Sequence, residues 1–478
     1  MNKSILINSK LLLIVILVLF LITRLYKIGE IPGSVYWDEA SIGYNAYSIA
    51  QTGKDEWGKF LPIHFRAFGE FKLPVYIYAT ALSVKLFGLN EFSVRIPSVL
   101  FSLGVVISAY FLSKRLSGRV DVGLLASFFV SISPWFFIFS RTGYEATAGL
   151  MFYMLAIYFF LKTKENIWYI LFSTLCFILS AYSYNSFRVI DPFTILILII
   201  YRLVDLKNIF KTGMLPVLFS IVFLIISIIP IYRLYRYDTG ASRLQAVGAT
   251  SSSFVKNYLS HFSLDFLIIR GDTNLRSQQA NFGQLYLPEL VFLLLGLLYM
   301  VRSKSKFQLL PIILLLLGPI PAAITKESPH ALRSISMVPF VSMISAEGVI
   351  YLCQFFKNRR ILVNFIIVII FLIFFINYFL NFLNTYPAES SFDWQYEYKQ
   401  SLQQLSCCKK TYADYNRIFV SDKYAQPYIF TLFYLKYDPD KFRREVVRNS
   451  VDQWGFSTVK GFGKFEFGKF PEIVSYNK

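Results

Sequence analysis

The sequence predicts a polytopic α-helical membrane protein with about eleven transmembrane helices, juxtamembrane helices in the first external loop, and a small C-terminal α/β domain outside the membrane. Three observations predict it. The composition is 55% hydrophobic and only 16% charged, with a mean hydropathy of +0.50. Apolar runs long enough to cross a bilayer recur along the chain, and the basic residues fall in short clusters between them. An ionised side chain in hydrocarbon costs about 3 kcal/mol or more, so charge that remains inside or beside a span is informative. The net charge of +19 therefore reads as membrane topology and not as a nucleic-acid surface.

The first run, Leu11 to Ile28, follows Lys3 and Lys10 as a secretory leader would. Thr23-Arg24-Leu25-Tyr26-Lys27 is bulky and basic where a cleavage site needs small residues, so the run is expected to stay as the first span, its N-terminus in the cytoplasm and the protein in the cell (plasma or inner) membrane. A hydrocarbon core of about 30 Å takes roughly 20 helical residues. By that length, further spans fall near 96–113, 121–140, 145–161, 167–184, 187–204, 213–232, 286–301, 307–325, 332–356 and 361–384.

The apolar stretch from Leu73 to Gly88 is too short to span comfortably, and the basic residues decide its place. If it lies flat on the outer surface, Lys114-Arg115 with Arg119, Lys162 with Lys164, Lys207 with Lys211, Arg302 with Lys304 and Lys306, and Lys357 with Arg359-Arg360 all fall on one side. If it crosses, these clusters move outside, against the positive-inside bias. It is read as a juxtamembrane helix.

This topology divides the chain into a transmembrane domain, 1–384, which carries the candidate catalytic residues, and a small extracytoplasmic one, 385–478. The first external loop, 29–95, carries Tyr36-Trp37-Asp38-Glu39-Ala40. Asp38 precedes a helical pattern, and an Asp there can simply cap the helix. The two roles are compatible, because a helix N-terminus would hold Asp38 ionised, as a general base must be. Glu39 cannot point the same way, so its part in the catalytic pair is a supporting one. Further on, Pro74 pushes the residues before it into extended backbone, which places Glu70 and Lys72 on one side. A surface ion pair is the plain reading. Their position at the start of the juxtamembrane helix, at headgroup depth, favours a lipid phosphate.

With Arg95-Ile96-Pro97-Ser98 opening the second span, Ser140-Arg141 leading to Glu145, Tyr182-Ser183-Tyr184 with Arg188, and Ser328-Pro329-His330-Ala331-Leu332-Arg333, this order of motifs resembles the GT-C glycosyltransferases. The nearest groups are the protein O-mannosyltransferases and the lipid A aminoarabinose transferases. The resemblance implies a polyprenyl-phosphate sugar as donor, a hydroxyl on a protein, lipid or glycan as acceptor, and inverting transfer of a hexose or pentose at the outer face. It makes Asp38 the base, Lys72 the ligand of the carrier phosphate and Glu70 its acidic neighbour. Glu145 stands where many members have Asp.

Independently, a phosphate leaving group needs cations as its charge develops. Lys72, Arg95, Arg188, Arg270, His330 and Arg333 are the external candidates, with Tyr184 beside them. For Arg95, Arg141 and Arg188 snorkelling to the interface is the plain alternative. His64 and His261 read as ordinary loop residues. No carboxylate or histidine cluster has metal-ligand spacing, so neither a metal nor another cofactor is expected. The loop 233–285, with Asp238-Thr239-Gly240, Ser251-Ser252-Ser253 and Arg270-Gly271-Asp272, is either a cover over the site or a connector.

In the tail, Arg417 to Ser421 and Glu472 to Ser475 read as strands and Pro427 to Lys436 as a helix. Adjacent Cys407-Cys408 would make a strained disulfide, so no disulfide framework is expected, and Cys176 and Cys353 read as packing residues in spans. Two other classes compete. A secondary transporter should show internal repeats and broken or charged helices at mid-membrane, whereas here the charges gather at one surface. A non-catalytic envelope-assembly protein would keep the fold without Asp38, Glu70 and Lys72 together.

Overall fold

A computed structural model describes residues 3–68, 70–202, 213–237, 248, 253–303, 306–405, 412–450 and 458–477. Gly69, the basic residues Lys207, Lys211 and Lys304, the polar stretches Asp238 to Gly240 and Ser251-Ser252, and the Cys407-Cys408 pair lie outside the described residues.

The chain begins with α1 (Lys3–Leu25), then α2 (Trp37–Thr52), a hairpin of β1 (Phe65–Ala67) and β2 (Glu70–Lys72), and α3 (Pro74–Phe87). The bundle continues through α4 (Glu91–Ser117), α5 (Val120–Ile132), α6 (Ala146–Lys162), α7 (Tyr169–Ala181), α8 (Asn185–Arg202) and α9 (Leu215–Tyr237). After the short α10 (Phe254–Ser260) come α11 (Leu287–Arg302), α12 (Lys306–Leu317), α13 (Met337–Phe355) and α14 (Arg360–Asn384). Among the described residues, α4, α9, α13 and α14 are each long and apolar enough to cross a membrane, and the chain is a membrane protein.

Three expected spans depart from single straight helices, each at a proline. The run 121–140 breaks after α5 and turns by 62° into Pro134–Arg141. Pro134 has no N–H and forces Ser133 out of the helical region, to φ −56 and ψ 126. The run 307–325 stops at Leu317 and resumes at Ile320 beyond Gly318-Pro319. The run 332–356 becomes helical only at Met337, with Pro339 in the first turn, where its missing N–H goes unused.

Two contacts fix the bundle. At the crossing of α11 and α13, a Cβ on Gly296 would lie 1.9 Å from the Ile344 carbonyl oxygen and one on Gly348 1.9 Å from that of Phe292. The backbones touch, as only small residues permit. At the bend, Arg141 donates to the carbonyls of Thr23 (2.8 Å) and Tyr26 (2.9 Å), and Arg24 to Ser131 O (2.8 Å) and Ser140 Oγ (2.8 Å). Arg141 is fully buried, so the snorkelling alternative does not apply to it. Its donors satisfy carbonyls left open at the end of α1.

Beyond the bundle, α15 (Tyr396–Gln404), β3 (Arg417–Ser421), α16 (Pro427–Tyr434), α17 (Pro439–Glu445), β4 (Val447–Arg448), β5 (Val459–Phe462), β6 (Phe465–Gly468) and β7 (Val474–Asn477) form a small α/β unit. Its sheet has the order β4-β5-β6-β3-β7, with β3 parallel to β6 and antiparallel to β7. The unit docks on α2: Arg443 donates to Ser48 Oγ (2.9 Å) and Asp55 O (3.0 Å), and Tyr44 to Tyr437 O (3.2 Å). A Cβ at Gly43 would meet Phe433 at 2.6 Å. The middle and far end of α2 are thereby held between the helices of the unit and α4, whose Val94 would meet the same Cβ at 2.7 Å, and this positions its first turn.

Candidate active site

The site grows from that first turn. Tyr36 is the N-cap, in extended backbone, so Asp38 does not cap α2 but lies within its first turn, where the helix dipole favours a carboxylate. The two neighbouring acids diverge. Glu39 turns inward, with only 2% exposure, accepting from Gly143 N–H (2.5 Å), Arg95 Nε (3.1 Å) and Nη2 (3.2 Å), and Tyr36 N–H (3.4 Å). Arg95 is fully buried and also donates to the carbonyls of Ile28 (2.9 Å), Pro32 (2.9 Å) and Ser34 (2.6 Å). Glu39 therefore leaves the catalytic pair and Arg95 leaves the phosphate ligands. Both have spent their hydrogen-bonding capacity on the fold.

Asp38 turns the other way. Lys72 Nζ donates to its Oδ1 over 2.5 Å and lies 3.7 Å from Glu70 Oε1. The hairpin β1–β2 sets this up, because alternate residues of β2 share a face, and Leu73 ahead of Pro74 is extended at ψ 150. Burial works to lower the Lys72 pKa, but Asp38, Glu145 and Glu56 more than offset it, and the ammonium is held above its ordinary value. Burial raises the Glu145 pKa, opposed by Lys72 and reinforced by Asp38.

These side chains line adjoining cavities. One of about 380 Å³ is walled by Asp38, Glu70, Tyr184, His330 and Arg333, together with Trp37, Tyr144, Arg276, Glu327 and Gln426. A smaller one of about 70 Å³ shares Asp38, Glu70, Tyr144 and Tyr184 and adds Lys72 and Glu145. A third, of about 470 Å³, shares Asn274, Glu327 and His330 with the first and includes Asp272. The structure thus brings together Asp38, Glu70, Lys72, Glu145, Tyr184, His330 and Arg333 from distant parts of the chain. Arg188 is not among them. It donates to Ala181 O (3.0 Å) at the end of α7 and meets His64 Nε2 at 3.3 Å.

The turn carrying His330 and Arg333 is braced from the loop 253–285. His261 is buried, and burial lowers its pKa to about 4. Its neutral ring donates through Nδ1 to Asn257 O (2.9 Å) and accepts the His330 N–H at Nε2 (3.2 Å). Asp272 Oδ2 accepts the Ala331 N–H at 2.8 Å. His261 is therefore a structural strut and not an ordinary loop residue. Arg333 donates to Thr325 Oγ1 (2.7 Å) and Glu327 Oε2 (3.2 Å).

Arg270 is exposed and paired with Asp265 at 2.6 Å. Among the described residues of this loop, the cation that lines the cavity is Arg276, its guanidinium 3.8 Å from the Tyr36 ring centroid. Burial works to lower its pKa, yet Tyr144, Tyr36 and Asp38 hold it above its ordinary value. Arg276 is not legible in the sequence because nothing local distinguishes it from Arg270. Trp37 and Tyr144 adjoin residues already singled out, whereas Gln426 carries no sequence signal. Among the described residues no group of three or more His, Cys, Asp or Glu is placed to hold a metal ion.

Residues 72–232 match the family described as dolichyl-phosphate-mannose-protein mannosyltransferase. No curated protein sequence matches the chain. Among solved structures it is similar to ArnT from Cupriavidus metallidurans in the apo state, with a TM-score of 0.58 and 11% identity over 91% of this chain and 85% of that one. The same protein bound to undecaprenyl phosphate gives a TM-score of 0.58 at 10% identity, with coverage of 91% and 85%. The archaeal oligosaccharyltransferase AglB from Archaeoglobus fulgidus, in complex with an inhibitory peptide and a dolichol-phosphate, gives 0.53 at 10% identity, over 90% of this chain and 64% of that longer one. The fold is thus similar to those of ArnT and AglB over about nine-tenths of the chain, and residues 72–232 match a mannosyltransferase family.

Proposed function

We propose that the protein is an integral-membrane glycosyltransferase that moves a sugar from a polyprenyl-phosphate donor to a hydroxyl acceptor at the outer membrane face, with inversion. The observation that carries this reading is the pairing of Asp38 with Lys72 on cavities also lined by Arg276 and Arg333. The acceptor hydroxyl attacks the anomeric carbon as Asp38 takes its proton. The bond from that carbon to the phosphate oxygen breaks, and the lipid phosphate leaves with its charge met by Lys72, Arg276 and Arg333. Because these cations can take the charge, the reading includes no metal or other cofactor. At rest Lys72 engages Asp38, so a phosphate that takes over Lys72 releases the base.

The outward orientation and about eleven crossings belong to the same proposal. Arg115 lies twenty residues beyond Arg95 on α4, about 30 Å at 1.5 Å per residue. There it pairs with Glu165, which brings two of the basic clusters together far from the site.

The test is transfer by the purified protein in lipid from a panel of radiolabelled polyprenyl-phosphate sugars. Wild type should consume one donor, and Asp38→Asn should be slower by about 10²–10⁴-fold, the usual contribution of a general base. Full activity in Asp38→Asn, or no donor consumed by wild type, would end this reading.

A further inference from the structure

The cavity of about 380 Å³ beside Asp38 is not built from the bundle alone. Gln426, the residue before α16, lines it together with Asp38 and Trp37. Its backbone is left-handed at φ 51, as are Ala425 at φ 62 and Gln395 at φ 54. Non-glycine residues adopt that conformation only where the surroundings impose it, and such strain gathers at functional sites. Gln395 is committed to the fold, its Oε1 accepting the Trp37 N–H at 3.3 Å and its amide donating to Tyr424 O. Gln426 has no such commitment. Its Oε1 is buried without a hydrogen-bond partner among the described residues. A buried carboxamide end left unpaired is costly, and the cost is removed when a ligand completes it.

The other lining residues indicate the ligand's chemistry. Trp37, Tyr144 and Tyr184 offer aromatic surfaces, while Asp38 and Glu70 offer acceptors. A sugar ring has apolar C–H faces for the first and hydroxyl edges for the second. Arg276 and Arg333 share the cavity, so a ring attached to the phosphate would fall within it. We infer that Gln426 hydrogen-bonds a hydroxyl of the donor's sugar, so that the C-terminal α/β unit forms part of the sugar-recognising wall. This deepens, and rests on, the lipid-linked donor proposed above.

The experiment compares binding of undecaprenyl phosphate, bare or bearing mannose, glucose or galactose, to the full-length protein in nanodiscs, for wild type, Gln426→Ala and Gln426→Glu. Wild type should bind one sugar-bearing lipid more tightly than the bare one. Gln426→Ala should weaken that lipid by about 3–10-fold, the worth of one neutral hydrogen bond, and leave the bare lipid unchanged. Gln426→Glu, which keeps an acceptor at the same reach, should recover part of the loss. Equal weakening of both lipids, no weakening, or no sugar preference in wild type would overturn the assignment while leaving the carrier reading intact. Failure of wild type to bind even the bare lipid would overturn both.

Discussion

Lys72 places its ammonium 2.5 Å from Asp38 Oδ1, so the candidate base and the candidate phosphate ligand neutralise each other in the resting site. The consequence is competition. Asp38→Asn should bind undecaprenyl phosphate more tightly than wild type, because Lys72 is released and a repelling carboxylate is gone. Lys72→Met should bind it at least about tenfold more weakly, since a charge-assisted hydrogen bond is worth about 1.5–3 kcal/mol. Equilibrium binding of the carrier lipid checks both. Unchanged or weaker binding by Asp38→Asn would rule out the exchange.

Arg276 should matter as a guanidinium and not only as a charge. Its stacking on Tyr36 at 3.8 Å uses the flat, weakly hydrated face that lysine lacks. Arg276→Ala should lower kcat/KM for the lipid-linked donor by about tenfold or more, and Arg276→Lys should restore only a fraction. Complete rescue by lysine would show that the stack is incidental.

The adjacent acids should separate cleanly between stability and activity. Removing Glu39 leaves Arg95 charged and buried, and breaking a buried pair in this way costs about 3–5 kcal/mol. Glu39→Ala should therefore lower the thermal midpoint sharply. Asp38→Asn, whose neighbour Lys72 keeps Glu70 at 3.7 Å, should change it far less while slowing transfer by about 10²–10⁴-fold. Similar midpoints for the two variants would contradict the division of labour.

Glu56 gives a pH dependence at the junction between α2 and the C-terminal unit. Burial raises its pKa to about 8, opposed by Arg448 and reinforced by Asp55, against about 4.3 for an unfolded glutamate. Between those values the folded state holds the extra proton, so this group's contribution is present at low pH and is lost as pH rises towards 8. The stability of wild type relative to Glu56→Gln should fall through that window by up to about 1.4 kcal/mol per pH unit. Parallel pH profiles for the two proteins would show that Glu56 is not buried as described.

Local rules make part of this site readable before any tertiary contact is known. Pro74 announces the extended segment that aligns Glu70 with Lys72, and the helical pattern after Asp38 announces the first turn that holds it. What Glu39 and Arg95 do cannot be read that way. Which side of α2 is buried depends on a helix that begins some fifty residues later, and a charged pair with 0% and 2% side-chain exposure is indistinguishable in sequence from two interfacial charges. Arg276 is hidden for a related reason: it lies in irregular backbone with no period to assign it a face. The break at Ser133-Pro134 is legible in the proline itself, but average hydropathy over the run conceals it.

The glycine contact between α11 and α13 reaches further than packing. With a carbonyl oxygen 1.9 Å from where each Cβ would sit, neither helix can rotate or slide past the other without a collision of main chains. Gly348 lies eleven residues above Met337, about 16 Å of helix, and directly before that helix comes the turn bearing His330 and Arg333. The crossing acts as a surveyor's benchmark: under the proposed function, it sets the height at which the cations would meet a lipid phosphate whose own depth is set by the bilayer. A side chain added at Gly348 would be felt first as a misalignment between protein and carrier, at a distance from the residue that changed.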